Sequence, residues 1–308
     1  MASVLAGSFA YHEHIHKPCV VTIGNFDGVH LGHQRLLTKT IEEARNHNVL
    51  ACAFTFEPPP RTLLAPNLQT PRIQSWQDKV ETLLAFGLDC VIVEEFSLTF
   101  AGYPPHWFAR EIIGRRLQAH SVVVGYDFRY GKARGGTTET LRRSLPKLTI
   151  HQQAALKEDN EVISSSRIRS LVQDGQVLQA ALLLSRPYSI RGIVVSGKQE
   201  GRKIGFPTAN IFSSDSLIPD NGVYAVRVQV NRGDWYLGMA NLGTQPTFGR
   251  RQFQIEVNLF DFQGDLYGEE LTVAFIDRIR SERRFNHVSD LVAQLNIDKV
   301  RCLDVLSA

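Results

Sequence analysis

The sequence is poor in the features of secreted, disulfide-bonded or membrane-spanning proteins. Its only cysteines are Cys19, Cys52, Cys90 and Cys302, and no two of them form a Cys-x-x-Cys pair. This spacing predicts reduced thiols in a cytoplasmic protein and no metal bound by cysteine. No apolar run approaches the roughly 20 residues of a membrane helix, and Met1–Lys17 lacks the basic-then-apolar order of a secretory signal. We therefore expect no membrane partner.

An excess of one charge is also missing. Lys and Arg number 34, Asp and Glu number 31, and the formal net charge is +3. So small an excess does not require a nucleic-acid partner, although it suits small anionic ligands. Hydrophobic residues make up 43% of the chain, which excludes global disorder, and 308 residues suffice for about two domains.

The first half alternates short apolar runs with helical patterns. Apolar runs typical of buried strands occur at Cys19–Ile23, Val49–Phe56, Asp89–Glu94 and Ser121–Gly125. Helical spacing begins at His33, at the Ser75-x-x-Asp78 cap and at Trp107, and returns over Leu171–Leu184 as one or two helices. This alternation predicts a parallel sheet that is covered on both faces. We expect the N-terminal segment with His12, His14 and His16 to be mobile rather than a metal site.

The period of the hydrophobic pattern changes after Arg186-Pro187. Val226, Val228 and Val230 alternate with polar residues, and further alternating runs follow with turn residues between them. Short alternating strands predict a small antiparallel barrel or sandwich, and the spacing of 288–295 predicts an amphipathic C-terminal helix. We therefore predict an α/β domain over residues 1–185 and a β domain over residues 186–308.

One stretch of the first half has the composition of a phosphate site. Thr22–His33 reads Thr-Ile-Gly-Asn-Phe-Asp-Gly-Val-His-Leu-Gly-His and lies between a predicted strand and a predicted helix. A helix N-terminus offers unpaired N–H groups and a partial positive charge to phosphate. His30 and His33 can donate ring N–H groups there, with Gly32 keeping the backbone close. A His-x-Gly-His motif beside a parallel sheet resembles the nucleotidyltransferase superfamily; the alternative is a glycine-rich turn with two partly buried histidines.

Two further stretches fit the same site. Ile163–Arg169 reads Ile-Ser-Ser-Ser-Arg-Ile-Arg at a predicted helix start, where hydroxyls and arginines can hold a triphosphate. By itself it fits equally an N-cap followed by a solvated face. Val123–Gly131 ends a strand with a charged and aromatic loop, which is weakly specific for a ring and a phosphate.

The second half contains a glycine- and lysine-rich stretch, Gly197–Asn210, which is not a P-loop. Thr208 and Asn210 carry hard oxygen atoms suited to Mg²⁺, although the stretch also fits a hairpin loop. Glu256 alternates with apolar neighbours, as a catalytic or a merely solvated residue would. Arg280, Glu282 and Phe285 fit either a flat aromatic ligand or a surface helix.

Six stretches in sequence resemble the prokaryotic bifunctional riboflavin kinase/FAD synthetase family over nearly the whole chain. They are Thr22–His33, Ile163–Arg169, Gly201–Asn210, Gly222–Val226, Ala240–Gly249 and Asp265–Gly268. The resemblance implies a Rossmann-like FMN adenylyltransferase domain with a parallel sheet, followed by a six-stranded β-barrel kinase domain. It implies that riboflavin and ATP give FMN and ADP, that FMN and ATP give FAD and pyrophosphate, and that both reactions use Mg²⁺. The oligomeric state is left open.

The resemblance also assigns site residues. Glu256 would be the base in the kinase, with Thr208 and Asn210 as ligands of Mg²⁺, and His30, His33 and Arg169 would act in adenylyl transfer. Flavin would contact Asp127, Phe128, Arg280, Glu282 and Phe285. ATP would contact Gly24, Asn25, Phe26, Asp27, Gly28, Gly32, Ser165, Ser166, Gly201, Lys203, Gly205 and Pro207.

The chain departs from the family pattern at three positions. Ser166 replaces a threonine, Gln245 an arginine and Asn258 a histidine, and the last two bear on the kinase. Two rival functions are an aminoacyl-tRNA synthetase-like adenylating enzyme, which shares His-x-Gly-His, and a flavin-binding protein without catalysis. The first predicts a lysine-centred second motif in place of Ser-Ser-Ser-Arg-Ile-Arg. The intact set of proposed catalytic residues argues against the second.

Overall fold

The computed structural model describes residues 2–67, 70–197, 200–213, 217–247 and 250–307. The chain divides into two units: Met1–Pro71 with Ser75–Ser164 form the first, and Arg72–Gln74 with Ser165–Ala308 the second. The predicted functional boundary between residues 185 and 186 remains a prediction.

The first unit is built on a parallel sheet of six strands. These are Ser3–Leu5 (β1), Cys19–Ile23 (β2), Leu50–Glu57 (β3), Cys90–Glu95 (β4), Ala119–Gly125 (β5) and Thr149–Gln153 (β6). Their order is β1-β4-β3-β2-β5-β6, and every pair is parallel. A small antiparallel pair follows, formed by Lys157–Glu158 (β7) and Glu161–Val162 (β8). The predicted parallel sheet is confirmed.

Helices connect these strands. They are Gly7–His14 (α1), Leu31–His47 (α2), Pro60–Leu64 (α3), Trp76–Ala85 (α4), Leu98–Ala101 (α5), Pro105–Trp107 (α6) and Thr138–Ser144 (α7). A π-helix spans Phe108–Arg116 and a 3₁₀ turn spans Lys132–Arg134. The helix predicted at Trp107–Leu117 is therefore present with wider turns, since the Leu117 N–H bonds to the Ile112 carbonyl five residues earlier.

Both faces of the parallel sheet are buried, as the continuous apolar runs predict. Val20 and Ala53 pack on one face with Leu37 of α2. Val21 packs on the other face, in a cluster that includes Ile112. Because strand residues alternate in direction, adjacent valines of β2 serve the two cores.

The expectation of a mobile N-terminal segment is wrong. Ser3–Leu5 pairs with β4 at the edge of the sheet, and α1 follows. The Ser8 N–H donates to a Glu94 carboxylate oxygen at 2.6 Å. The Tyr11 side chain is buried, and its hydroxyl donates to the Lys17 carbonyl at 2.8 Å. These contacts fix a segment whose composition carries little periodic signal.

The second unit is built on a closed antiparallel barrel. Its strands are Tyr188–Val195 (β9), Ala209–Phe212 (β10), Gly222–Val230 (β11), Trp235–Thr247 (β12), Arg250–Leu259 (β13) and Glu270–Arg280 (β14). They follow the order β10-β13-β12-β11-β14-β9. The helices of this unit are Ser165–Gln173 (α8), Val177–Leu184 (α9), Glu200–Lys203 (α10) and Val288–Ser307 (α11).

The barrel has an apolar interior and an outer face partly covered by α11. Val226 and Val257 are fully buried in the interior row. On the opposite face, Val223 and Met239 pack with Cys302 of α11. The prediction of a small antiparallel barrel with a C-terminal helix is confirmed. All four cysteines are buried and unpaired.

Candidate active sites

In the first unit, the loop between β2 and α2 has an unusual backbone. Phe26 and Val29 have positive φ angles of 50° and 40°, and Gly28 has a φ of 83°. Side chains at positive φ are strained, yet both residues are fully buried. The core therefore holds this loop in one conformation at the start of α2.

The loop lies at the point where the order of the sheet reverses. α2 leads from β2 to β3 on one side, whereas β5 pairs with β2 on the other side. In open parallel sheets, ligands bind outside the carboxyl ends of the strands at such a reversal. The predicted phosphate motif and the loop after β5 therefore meet at the same edge.

His30 and His33 form a stacked pair at the N-terminus of α2. Their ring centroids are 3.7 Å apart, with planes 17° from parallel. Nδ1 of His30 accepts from the His33 backbone N–H at 3.3 Å, which places the proton of a neutral His30 ring on Nε2. Gly32 permits this packing, because a Cβ there would lie 3.1 Å from Cε1 of His30.

His33 is held in its neutral form. Burial lowers the pKa of His33 well below 6.5, and the positive charges of His30 and Lys79 lower it further. Nδ1 of His33 is buried and has no hydrogen-bond partner within the described part of the chain. A neutral imidazole has one ring N–H, which can donate to a phosphate oxygen at a helix N-terminus.

Sequence reasoning missed Lys79 of α4. Its side chain is buried, and Nζ donates to the Asn25 carbonyl at 3.3 Å and to Oγ1 of Thr55 at 3.1 Å. Lys79 thereby connects the phosphate loop to β3. The available signal was its position next to Val80 on the apolar face of a predicted helix.

The loop after β5 supplies the two predicted flavin contacts of this unit. Phe128 is half-buried, and its ring stacks on Tyr130 at 5.4 Å. Asp127 is exposed, with its carboxylate beside Gly125 at the end of the strand. An aromatic surface and a carboxylate therefore share the edge that carries His30 and His33.

The serine and arginine motif begins α8, as predicted. Ser165 is the first residue of the helix, and Arg169 is half-buried. In the first unit, the Ile163 carbonyl lies 3.7 Å from the position of a Cβ on Gly32. Ile163, two residues before α8 in the sequence, therefore lies beside the turn that carries the histidine pair.

In the second unit, the glycine-rich loop depends on close backbone contacts. The Phe206 N–H donates to the Gly201 carbonyl at 2.9 Å, and a Cβ on Gly201 would lie 2.2 Å from the Phe206 carbonyl oxygen. Gly205 has a φ of 83°, and Lys203 is exposed. Only glycine fits at position 201 without moving the loop. Lys198 and Gln199 of the predicted stretch lie outside the described residues.

The same loop covers the proposed magnesium ligands. A Cβ on Gly197 would lie 2.1 Å from Nδ2 of Asn210, and Asn210 is buried. Thr208 is half-buried, with its hydroxyl 3.4 Å from the position of a Cβ on Gly201. Two oxygen-bearing side chains thus lie directly under the loop.

Glu256 lies in a polar row across three strands. It is in register with Asn210 of β10 and with Asn241 of β12. Its neighbours Ile255 and Val257 point into the barrel, so Glu256 is on the outer face, where it is half-buried. Sequence reasoning missed Asn241, because only the register shows that it adjoins Glu256.

Two cavities adjoin the glycine-rich loop. The larger, of about 670 Å³, is lined by Val194, Arg202, Pro207, Thr208, Ala209, Val257, Leu259, Phe262, Gln263, Gly264, Asp265, Leu266 and Tyr267. The smaller, of about 430 Å³, lies between the glycine-rich loop, β13 and α11. The larger one combines an exposed aromatic ring at Tyr267 with the Thr208 hydroxyl and the Arg202 cation. It can therefore hold a ring and a phosphate chain.

The three predicted flavin contacts of this unit lie in two different places. Nε of Arg280 donates to both carboxylate oxygens of buried Asp298 at 3.0 and 2.9 Å. The Arg280 guanidinium lies 5.9 Å from the Phe285 ring centre. A Glu282 carboxylate oxygen lies 2.9 Å from the position of a Cβ on Gly243. The structure therefore groups Arg280 with Phe285 and places Glu282 over β12.

Models of two protein families match the chain. One, described as FAD synthetase, matches residues 12–167, and the other, described as riboflavin kinase, matches residues 184–306. A protein of Bacillus subtilis named bifunctional riboflavin kinase/FMN adenylyltransferase is 39% identical over 94% of this chain and 92% of its own. A protein of Escherichia coli with the same name is 37% identical over 92% and 91%.

A solved structure is also similar. It is described as a macrolide-efflux protein from Streptococcus pneumoniae, is 30% identical, and matches with a TM-score of 0.86 over 97% of both chains. In the described part of this chain, no helix is long and apolar enough to span a bilayer.

Proposed function

The chain belongs to the family of bifunctional riboflavin kinase/FMN adenylyltransferases, and from this premise we propose how its residues divide the two reactions. It is an enzyme that phosphorylates riboflavin with ATP and then adenylylates FMN with ATP. The small molecules riboflavin, FMN and ATP are its substrates. The kinase uses the polar row of the barrel, and the adenylyltransferase uses the histidine pair of the parallel sheet.

In the kinase, Glu256 is the general base. Its carboxylate takes the proton of the riboflavin 5′-hydroxyl while that oxygen attacks the γ-phosphorus of ATP, and ADP leaves. The support is the register of Glu256 with Asn210, which lies under the glycine-rich loop together with Thr208. The adenine ring and phosphates of ATP occupy the larger cavity, beside Tyr267 and Arg202.

The donor set fits a magnesium ion that arrives with the nucleotide. Thr208 and Asn210 offer neutral oxygen atoms, which Mg²⁺ accepts together with phosphate oxygens and water. Within the described residues, no cluster of three or more His, Cys, Asp or Glu side chains could hold a metal ion alone. Bound Mg²⁺ would neutralise charge that develops on the transferred phosphoryl group.

In the adenylyltransferase, no protein base is required. The FMN phosphate is an anion at neutral pH, its oxygen attacks the α-phosphorus of ATP, and the bond to pyrophosphate breaks. His30, His33 and the N-terminus of α2 position the phosphates and stabilise their charge. By their place in the Ser-Ser-Ser-Arg-Ile-Arg stretch, which resembles the family's motif, Ser166 and Arg169 are assigned to the departing pyrophosphate, and Phe128 is assigned to the flavin ring.

One observation carries the proposal: the barrel places a carboxylate in register with Asn210, whereas the parallel sheet presents a stacked pair of histidines at a helix N-terminus, and the pKa of one of them, His33, is lowered. The test is to incubate the purified chain with riboflavin, ATP and Mg²⁺ and to resolve the flavins by chromatography over time. We expect FMN to form first and FAD to follow, with neither formed when EDTA replaces Mg²⁺. A folded chain that binds flavin but consumes no ATP would overturn the proposal.

A further inference from the structure

Asn258 lies on the same strand face as Glu256, two residues further along β13. Its side chain is buried, and Nδ2 donates to the Pro207 carbonyl at 2.6 Å. Because a carbonyl only accepts, the amide nitrogen is the atom that faces it. The contact joins β13 to the glycine-rich loop.

The contact matters because Pro207 lies just beyond the end of the paired strands β10 and β13. The β10–β13 ladder pairs Asn210 with Glu256 and Ala209 with Val257. Continuing this register by one residue sets Thr208 opposite Asn258. Pro207 is the next residue, beyond the end of the ladder, and the Asn258 side chain supplies its carbonyl with a donor. The side-chain bond therefore extends the pairing of the strands up to the loop.

The two ends of the contact differ in how firmly they are held. On β13, the backbone of Asn258 is packed against β12, because a Cβ on Gly238 would lie 2.7 Å from the Asn258 carbonyl oxygen. On the loop, Gly205 and Pro207 are exposed. Between them, Phe206 packs against the apolar cluster that includes Cys302. The Asn258 bond therefore adds a polar contact that ties the next carbonyl of the loop to the rigid strand.

We propose that Asn258 is a positioning residue for phosphoryl transfer, because its amide holds the Pro207 carbonyl and thereby keeps Thr208 aligned with the strand that carries Glu256. This inference rests on the proposed kinase function. It also predicts that histidine is tolerated at this position, since Nδ1 of a histidine can donate from nearly the same place.

The test compares Asn258→Ala, Asn258→His and Asn258→Asp in the full chain. Asn258→Ala removes the only side-chain donor described for the Pro207 carbonyl, so we expect it to lower kcat/KM for ATP in riboflavin phosphorylation roughly tenfold, mainly through KM. Asn258→His should stay within about threefold of the unmodified chain. Asn258→Asp should lose at least as much as Asn258→Ala, because a carboxylate repels the carbonyl.

The matched control is Asn296→Ala. Asn296 lines the same smaller cavity, but its Nδ2 donates to the Val292 carbonyl of its own helix at 2.9 Å. We expect this variant to keep its kinetic constants. FMN adenylylation in each preparation reports whether the other site is intact.

Three results would overturn the inference. They are an unchanged KM for ATP in Asn258→Ala, an Asn258→His variant as impaired as Asn258→Ala, and a parallel loss of both activities with a lowered melting temperature. A different result, no FMN formation by the unmodified chain, would overturn the proposed kinase function itself.

Discussion

The two ATP-using regions of this chain differ in how their proposed phosphate-binding residues are held in place. In the parallel-sheet unit, buried Phe26 and Val29 fix the loop before α2, and His30 and His33 already stack there. In the barrel unit, the proposed catalytic side chains lie on paired strands, next to a glycine-rich loop with exposed residues. The first site is therefore held by the core, whereas the second relies on a few contacts between a loop and a strand.

The difference follows the chemistry that each site performs. Transfer to a hydroxyl requires removal of a proton, and we assign that task in our proposal to Glu256, which the strand register places opposite Asn210. Transfer to a phosphate oxygen requires only orientation and neutralisation of charge. A preformed donor set at a helix N-terminus supplies both without a base.

The largest expected effect separates the sites by their need for a base. Glu256→Gln keeps the shape of the side chain and removes its basicity, so FMN formation should fall by about 10²–10⁴. Conversion of added FMN to FAD should remain within about twofold, since that site needs no base. Chromatographic rates of the two steps measure both values. Glu270→Gln, another strand carboxylate of the barrel unit, is the control; loss of both activities in Glu256→Gln would contradict two separate sites.

The converse experiment uses the histidine pair. His30→Ala combined with His33→Ala should slow FMN adenylylation by about 10²–10³, because donors to the phosphates are lost. Riboflavin should still be phosphorylated, so FMN should accumulate in a coupled assay. His106→Ala, at an exposed histidine of the same unit, should behave as the unmodified chain. FAD production at the normal rate would show that the pair has another role.

Two glycine substitutions should affect opposite reactions. Alanine at Gly197 places a Cβ 2.1 Å from Nδ2 of Asn210, and alanine at Gly32 places one 3.1 Å from Cε1 of His30. Overpacking typically costs about 1–3 kcal/mol, so each should slow its own reaction roughly tenfold. Gly197→Ala should impair the kinase and Gly32→Ala the adenylyltransferase, each variant serving as the control for the other. Equal effects on both reactions would mean that each substitution disturbs the folded chain as a whole and not its own site alone.

The smallest expected effect concerns pH. The folded state lowers the pKa of His33 below its unfolded value of 6.5, so the unfolded chain binds the proton first and stability falls as pH drops below about 6.5. We expect His33→Asn to lose less stability than the unmodified chain between pH 7.5 and 5.5. A difference of about 1 kcal/mol corresponds to about 2–4 °C in the melting temperature for a region of this size. Identical shifts in the two proteins would contradict a lowered pKa of His33 in the folded chain.

Sequence patterns predicted most of the fold because its strands and helices carry strong local signals. The apolar run of β2 and the Ser75 cap of α4 both lie where expected, and Ser75 Oγ accepts the Asp78 N–H at 3.0 Å. The N-terminal strand and helix were mispredicted, because Ser3–Leu5 is short and gains its stability from β4. A three-residue edge strand has too few residues to show a period.

The residues of the candidate sites also fall into two groups: those that motifs indicate and those that only the structure shows. Motif residues such as His30, Thr208 and Glu256 were named from the sequence, and their roles remain predictions. Sequence analysis did not identify Lys79 or Asn241, because each is recognised only by its contact with a residue far away in the sequence. Lys79 contacts a carbonyl 54 residues away.

The sequence by itself determined the change from alternating helices and strands to short antiparallel strands, since hydrophobic periodicity is a local property of the chain. It also determined which chemical groups are present. The folded arrangement alone shows that Arg280 is paired with Asp298, that the pKa of His33 is lowered, and that Asn258 bonds to Pro207. Hydrogen bonding and desolvation depend on distances between residues remote in sequence, and those distances exist only after the sheet and the barrel have closed.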